Sequence, residues 1–338
     1  MAAAEIVKYV DPDATGSANG DSWENAYTSL ATAEALNYTL TTQGGGDGSW
    51  FHVYCRASGG TADTTLVYWS GWTTSATNYV LIEGVASHRA TISGWKTDRY
   101  RLSVSNDDAL YLAAGCGFFR IDGLQIEAMG DGNADDTIAS VGIVGDCDIR
   151  ISNCRLRNAA AALASVHVLV CNDVDINLTC WNTIFEIHPD NAGTVDGIYV
   201  GVETATFYNC LVYGVRRGFR DAAGTTAMYD SVILDCADDF YVAADTVDYC
   251  AYDDADATTN EVAESGGGAG WPNDFVSGPA GNWTLLVTSN LVGAGGMAGS
   301  GTFSTDIEGT TRGAAWDLGP YEYVSAAPSV VNVVYNII

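Results

Sequence analysis

A short pattern of polar, small and apolar positions recurs five times in the middle of the chain. In each copy a polar residue precedes a small residue, and a β-branched, aliphatic or aromatic run follows. The copies begin at Asp122, Asn153, Asn182, Asn209 and Asp230. Their lead residues are 31, 29, 27 and 21 positions apart, and spacing of this size is typical of an array of stacked structural units.

The apolar runs predict strands, because they are short, lack a helical period and are separated by Gly, Asp and Asn. In a parallel β-solenoid, successive coils lie about 4.8 Å apart, so equivalent side chains form columns. The lead residues would then form a ladder of hydrogen bonds. The next positions hold only small side chains, as a crowded corner requires: Gly123, Cys154, Thr183, Cys210 and Ser231. A β-sandwich is the alternative, although the chain offers little hairpin chemistry.

This combination of an Asn ladder and a stack of small residues resembles the right-handed parallel β-helix proteins of the pectin-lyase-like group. The resemblance implies an all-β protein with a single right-handed parallel β-helix and an amino-terminal amphipathic capping helix. We expect one continuous structural domain in three parts. These are a cap with a helix over 1–48, β-helix coils over 49–252, and irregular coils with a terminal strand tail over 253–338.

The capping helix is predicted from Asp21, which provides an N-cap. The apolar positions that follow have helical spacing over about four turns: Trp23, Ala26, Tyr27, Leu30 and Ala33. Such a helix would close the open end of a solenoid. Near the carboxyl end, residues 317–323 resemble the closing strand of the same group.

Charge and cysteine content narrow the possible functions. The chain has 14 Lys and Arg against 42 Asp and Glu, a net charge of −28, which disfavours nucleic acid as a partner. It lacks an apolar stretch long enough to insert into a membrane, and its first residues lack the pattern of a cleaved signal, so we expect synthesis in a cytoplasm. The nine cysteines are an odd set without a CxxC pair. We expect them to be mostly reduced, with a disulfide framework as the alternative.

Two sets of charged residues are candidates for chemistry. Guanidinium groups of Arg216, Arg217 and Arg220 could bind a carboxylate or sulfate, unless they pair with acids one coil further on. Glycoside hydrolysis needs two carboxylates at a set separation. The candidate catalytic acids are Asp221, Asp235, Asp238 and Asp239. With 42 acids in the chain, chance stacking is the alternative.

Aromatic and acidic loops supply two further candidates. Trp69, Trp72 and Trp95 could stack on sugar rings, or they could fill the wide early coils. Because Tyr68 and Trp69 are consecutive in a predicted strand, one of them must point outward. The oxygen donors Asp131, Asn133 and Asp135 suit Ca²⁺, although a solvated turn explains them more simply. We expect no required cofactor.

The carboxyl-terminal tail is apolar and β-prone, which suits strand addition to a neighbouring subunit. The assembly residues would be Val330, Val331, Val333, Val334, Tyr335, Ile337 and Ile338. The alternative is a last strand that pairs with its own solenoid.

The function expected from these features is that of a non-enzymatic structural protein of a bacteriophage virion, such as a tailspike-like, fibre or capsid-decorating component. By the same resemblance we expect a homotrimer, assembled in the host cytoplasm, that contacts other virion subunits and extracellular polysaccharide. One alternative is a polysaccharide lyase or glycoside hydrolase of the β-helix type. Another is a bacterial surface or adhesion protein.

Overall fold

The computed structural model describes twelve stretches of the chain. These are residues 4–42, 48–130, 135–140, 142–143, 145, 147–159, 165–189, 191, 194–242, 244–252, 261–262 and 273–324. Within these stretches, no helix has the length and apolar character needed to cross a membrane.

Strands dominate the described residues, with one short α-helix, α1, at Leu30–Glu34. The strands in chain order are β1 Ala4–Val10, β2 Ser49–Cys55, β3 Val67–Trp69, β4 Val80–Gly84, β5 Arg101–Ser105, β6 Leu110–Leu112, β7 Phe118–Asp122, β8 Gln125–Met129, β9 Ile138–Ser140, β10 Cys147–Ser152, β11 Arg155–Ala159, β12 Ser165–Cys171, β13 Ile176–Trp181, β14 Ile184–Ile187, β15 Thr194–Tyr208, β16 Leu211–Tyr213, β17 Arg217–Tyr229, β18 Val232–Leu234, β19 Asp238–Val242, β20 Thr246–Asp248, β21 Ala251–Tyr252, β22 Phe275–Ser277 and β23 Asn282–Leu285.

The chain forms a parallel β-helix with three faces. The first face contains β1, β2, β4, β7, β10, β13, the later halves of β15 and β17, and β20. The second face contains β5, β8, β11, β14, β16, β18 and β21. The third face contains β3, β6, β9, β12, the earlier halves of β15 and β17, and β19. Because β15 and β17 run through a corner, the first and third faces are continuous through hydrogen bonds.

Inward side chains form columns along the solenoid, as parallel register requires. On the first face, Phe119, Ile149 and Leu178 lie in register and are buried. Trp69 and Trp72 fill the lumen of the early coils, where both rings pack against Phe51. All strand pairs within the three faces are parallel, which confirms the predicted solenoid and excludes the β-sandwich.

The predicted ladder lies at the corner between the first and second faces. Asn153, Asn182, Asn209 and Asp230 have φ of 53°, 50°, 49° and 52°. This left-handed conformation disfavours most side chains but is tolerated by Asn and Asp. The repeated polar residue is therefore required by the backbone of the corner, in addition to any side-chain bond.

The ladder differs from the prediction at both ends. In the first coil, Asp122 pairs with Ser152, so Gly123, with φ of 72°, is the residue equivalent to Asn153. The Asn153 amide nevertheless donates to the Asp122 carboxylate at 2.6 Å, and the Asn182 amide donates to Asn153 at 3.0 Å.

The later ladder residues bind the carboxyl-terminal segment. The Asn209 amide donates to the Asp317 carbonyl at 2.9 Å. The Asp230 carboxylate accepts hydrogen bonds from the backbone of Gly296 and Ala298. The corner therefore both joins neighbouring coils and anchors the end of the chain.

The amino-terminal cap is less helical than predicted. Among the described residues of the cap, only Leu30–Glu34 form an α-helix. At the start of this helix the Leu30 N–H donates to the Asp63 carboxylate at 2.6 Å. The predicted start at Asp21 is wrong, because the backbone of Tyr27 exchanges hydrogen bonds with Tyr9 and Asp11 and so cannot be helical. In addition, β1 pairs with β2, so the coil stack begins inside the region predicted as a cap.

The second face is covered by residues 273–324. Trp283, Leu285 and Leu318 of this segment pack with Ile184 and Leu211 of the face in a second apolar core. The antiparallel pair β22 and β23 belongs to this cover. The predicted closing strand at 317–323 is wrong, since these residues form no strand and instead supply side chains such as Leu318 to the cover.

A buried ion pair fixes the cover to the solenoid. The Arg155 guanidinium contacts both Glu186 oxygens, at 2.7 and 2.8 Å, and donates to the Gly281 carbonyl at 2.9 Å. Trp283 Nε1 donates to the same Glu186 carboxylate at 3.3 Å.

All nine cysteines are free thiols, as expected. Eight are buried and Cys236 is partly buried. Cys154 and Cys210 occupy the predicted small-residue column, and burial raises the pKa of each to about 12.

Candidate functional site

The outer surface of the third face carries two neighbouring columns of functional side chains. The charged column contains, coil by coil, Asp108, Asp136, His167, Asp196, Arg217 and Asp238. The tyrosine column lies three residues further along each strand and contains Tyr68, Tyr111, Tyr199, Arg220 and Tyr241.

A bend in the strands separates the two columns. In β12 the consecutive residues Val168 and Leu169 are both buried, which interrupts the alternation of a flat strand. His167 and Val170 consequently both face outward. The columns still touch, because the rings of His167 and Tyr199 lie 5.4 Å apart.

Hydrogen bonds run along the charged column from coil to coil. The Asp136 N–H donates to the Asp108 carboxylate at 2.6 Å. The His167 N–H in turn donates to the Asp136 carboxylate at 2.7 Å, and its Nδ1 lies 3.0 Å from the same oxygen. Because equivalent positions in adjacent coils are about 4.8 Å apart, the Asp108 and Asp136 side chains are neighbours that project from the same surface.

Asp196 is the centre of the basic part of the column. Its side chain is almost fully buried, and Arg216 contacts both of its oxygens at 2.7 and 2.6 Å. Arg217 Nη1 approaches it at 3.5 Å and His167 Nε2 at 4.0 Å. The hydrogen bond to Asp196 raises the pKa of Arg216. This arrangement holds His167 between two carboxylates.

Asp108 differs electrostatically from its neighbours. Burial and, to a smaller extent, the carboxylates of Asp136, Asp107 and Asp135 together raise the pKa of Asp108 to about 6, against the hydrogen bond from the Asp136 backbone, which lowers it. Near neutral pH a fraction of Asp108 therefore carries a proton, and the neighbouring Asp136 accepts two hydrogen bonds from His167. One carboxyl group can donate a proton beside another that can accept one.

The tyrosine column forms an aromatic surface beside these acids. Tyr68 and Tyr111 stack with ring centres 4.9 Å apart, and Tyr68 is 51% exposed. Arg220 lies over Tyr199 at 4.6 Å, and Arg217 lies over Tyr241 at 3.8 Å. Flat, exposed rings of this kind can pack against the apolar face of a sugar.

The structure brings the three predicted arginines to this face but disperses the predicted catalytic acids. Asp238 lies in the charged column beside Arg217. Asp221 lies four residues further along β17 and accepts from the Thr226 hydroxyl at 2.8 Å. Asp239 is fully buried, and Asp235 lies in an exposed turn with φ of 54°. Arg216 and Arg217 also bind an acid that was not among the candidates, Asp196 in the preceding coil.

The predicted ligand-binding tryptophans do not form a surface. Trp69 and Trp72 are 0% and 1% exposed, so their rings are part of the core. Tyr68 is the residue of that strand that points outward. Trp95 is partly buried, with the Arg157 guanidinium 3.8 Å above its ring.

The predicted calcium loop is only partly described. Asp131 and Asn133 lie outside the described residues, and so do all the predicted assembly residues of the tail. Asp135 is buried. In the part of the chain that the structure describes, no group of three or more His, Cys, Asp or Glu side chains is placed to hold a metal ion.

Sequence reasoning missed Asp108, Asp136, His167 and Asp196. One signal was available, since His167 and Asp196 each lie 14 positions after the ladder asparagine of their coil. Residues at a constant distance in sequence from the ladder corner fall in one column, and at this distance the column lies on the third face. This offset can be used for the other coils only if the lengths of their turns are known, and the ladder alone does not give those lengths.

Comparison with known proteins identifies neither a family nor a residue role for the chain. No protein-family model matches the chain, and no curated protein sequence matches it. The crystal structure of pectate lyase Pel9A aligns with 15% identity over 95% of this chain and 97% of that chain, with a TM-score of 0.29. An alignment at this TM-score transfers no residue role.

Proposed function

We propose that the protein binds a polysaccharide along the third face and hydrolyses its glycosidic bonds. The observation that carries this proposal is the in-register pair Asp108 and Asp136, which lies beside the tyrosine column. Glycoside hydrolysis uses a protonated carboxyl group to protonate the leaving oxygen and a carboxylate to attack the sugar or activate water.

Each residue has a distinct role in this proposal. Asp108 is the general acid, because its raised pKa keeps it partly protonated near neutral pH. Asp136 is the carboxylate, oriented by the His167 backbone and ring. Arg216 and Asp196 are positioning residues that hold His167 from the other side. Tyr199 and Tyr241 support the sugar chain.

The test is to incubate the protein with a panel of purified bacterial and plant polysaccharides. Hydrolysis is measured as the release of reducing ends. Asp108→Asn is expected to lower the rate on a cleaved substrate by about 10²–10⁴-fold, since general acid catalysis contributes that much. Asp98→Asn is the matched control, because Asp98 is exposed, lies outside the strands of the third face and takes the same substitution. Failure of the wild type to cleave any glycan, or full activity of Asp108→Asn, would refute catalysis.

A second candidate is a non-enzymatic role in which the same face only binds glycan. The stacked and exposed tyrosines favour it. In this case the wild type and Asp108→Asn bind a glycan equally and neither cleaves it, whereas Tyr199→Ala weakens binding. The virion role and the homotrimer, which was expected from the family resemblance alone, remain predictions. The carboxyl-terminal tail, one of the features behind the virion role, lies outside the described residues.

A further inference from the structure

The first face carries a basic site that the proposed function does not use. On its outer surface, Arg120 and Arg150 occupy equivalent positions in adjacent coils. They border a cavity of about 370 Å³ whose other walls include Leu81, Trp181 and Thr302. In a chain with a net charge of −28, two adjacent guanidinium groups on an open surface need an explanation.

Among the residues that the structure describes, Arg120 forms no ion pair. Its guanidinium lies 3.6 Å from the centre of the Tyr79 ring. Among the described residues, no carboxylate lies within 4.0 Å of it and no acceptor takes a hydrogen bond from it. An arginine side chain has five N–H donors in a rigid fork, so these donors face the cavity and its solvent.

The two nearest acids are already occupied. Asp148 contacts Arg150 with both oxygens, at 3.0 and 2.8 Å. Asp122 binds Arg89 at 2.6 Å and also accepts from Ser152 and Asn153. Neither carboxylate forms an ion pair with Arg120. Burial and the charge of Arg150 lower the pKa of Arg120, against smaller opposing effects of Tyr79 and Asp148.

We propose that this cavity binds a sulfated sugar unit, with the sulfate on Arg120 and Arg150 and the sugar ring against Trp181. A tetrahedral oxyanion has enough oxygens to accept from two guanidinium groups that approach from adjacent coils, whereas a planar carboxylate matches one fork. Trp181 lines the cavity and stacks on Phe303 at 6.0 Å, which fixes the orientation of its ring. The cavity is on a different face from Asp108, so binding of a sulfated sugar can be tested independently of the proposed hydrolase activity.

The test is isothermal titration calorimetry with a sulfated dextran oligosaccharide, compared with the unsulfated oligosaccharide and with an oligogalacturonate of equal length. The wild type is expected to bind the sulfated probe and neither of the others. Arg120→Gln is expected to weaken binding about 10- to 100-fold, the effect of losing a charged hydrogen-bond pair. Lys96→Gln is the control, because it removes the same charge away from the cavity and should leave affinity unchanged.

Each other outcome contradicts the proposal. No binding by the wild type, or equal binding by Arg120→Gln, shows that the cavity takes no oxyanion. Equal or tighter binding of oligogalacturonate shows that the ligand is a carboxylate. If Arg120→Gln does not fold, Arg120→Lys decides, because it keeps the charge without the fork. Its affinity should fall, and unchanged affinity would overturn the assignment.

Discussion

Removal of Arg155 should destabilise the protein more than removal of any surface charge. Its side chain and that of Glu186 are 2% and 5% exposed, so Arg155→Met would leave a buried carboxylate without its cation. Breaking such a pair from one side costs about 3–5 kcal/mol. The variant also deprives the carbonyls of Thr91 and Gly281 of a donor.

The double variant Arg155→Met with Glu186→Leu separates the ion pair from the packing around it. With both charges gone, no buried carboxylate is left without its cation, and the remaining loss is the hydrogen bonds to Trp283 Nε1 and to the two carbonyls, about 1–3 kcal/mol for each buried group left without a partner. The double variant should therefore be more stable than Arg155→Met alone. Urea unfolding followed by circular dichroism measures each free energy.

Arg150→Met is the control for this experiment. Arg150 lies in the same coil and pairs with Asp148, but its side chain is 42% exposed. An exposed pair contributes only about 0–1 kcal/mol. A loss below about 1 kcal/mol for Arg155→Met, or a double variant less stable than the single, would show that the cover is not held by this pair.

Three further results are expected. Asn182→Ala should cost about 1–3 kcal/mol by thermal unfolding, because it removes the bond to Asn153 and puts alanine at positive φ, whereas Asn182→Gly should cost less. In the native protein a thiol reagent should modify Cys236 first, and the other eight cysteines only after denaturation, because they are buried. The folded-state pKa of Asp108, about 6, exceeds the unfolded value of about 3.9. Its contribution to stability is therefore fully present below about pH 4 and is lost as pH rises through about 6. Urea unfolding across this range should show a smaller loss for Asp108→Asn than for the wild type, and parallel curves would contradict the assignment.

The sequence contained most of the fold and little of the site. The period of Asn153, Asn182 and Asn209 indicates stacked coils, because a left-handed corner selects asparagine again at each turn. The helix at Asp21 was mispredicted, since local spacing cannot reveal that Tyr27 pairs with β1. Strand alternation showed that one of Tyr68 and Trp69 faces outward. Which of the two does so depends on which ring packs against the other side chains in the lumen, and the sequence does not reveal this.

The site was harder to predict because it depends on register between coils of unequal length. Asp108 and Asp136 are unremarkable acids until the third face aligns them. The grouping of Asp221 with Asp238 failed for the same reason, since residues close in sequence lie at different heights along β17 and β19. Side chains that meet across coils can be inferred only after each turn has been measured.

The attachment of residues 273–324 to the second face has a consequence for biosynthesis. The Ile92 N–H donates to Glu308 at 2.8 Å, and the Trp283 N–H donates to the Ile92 carbonyl at 3.1 Å. On the ribosome, the early coils therefore emerge and wind while the residues that shield their second face are still untranslated. Until residues 273–324 are synthesised, the apolar outer surface of the second face is exposed and can bind chaperones or other copies of the chain. A premature stop before residue 273 would make that exposure permanent.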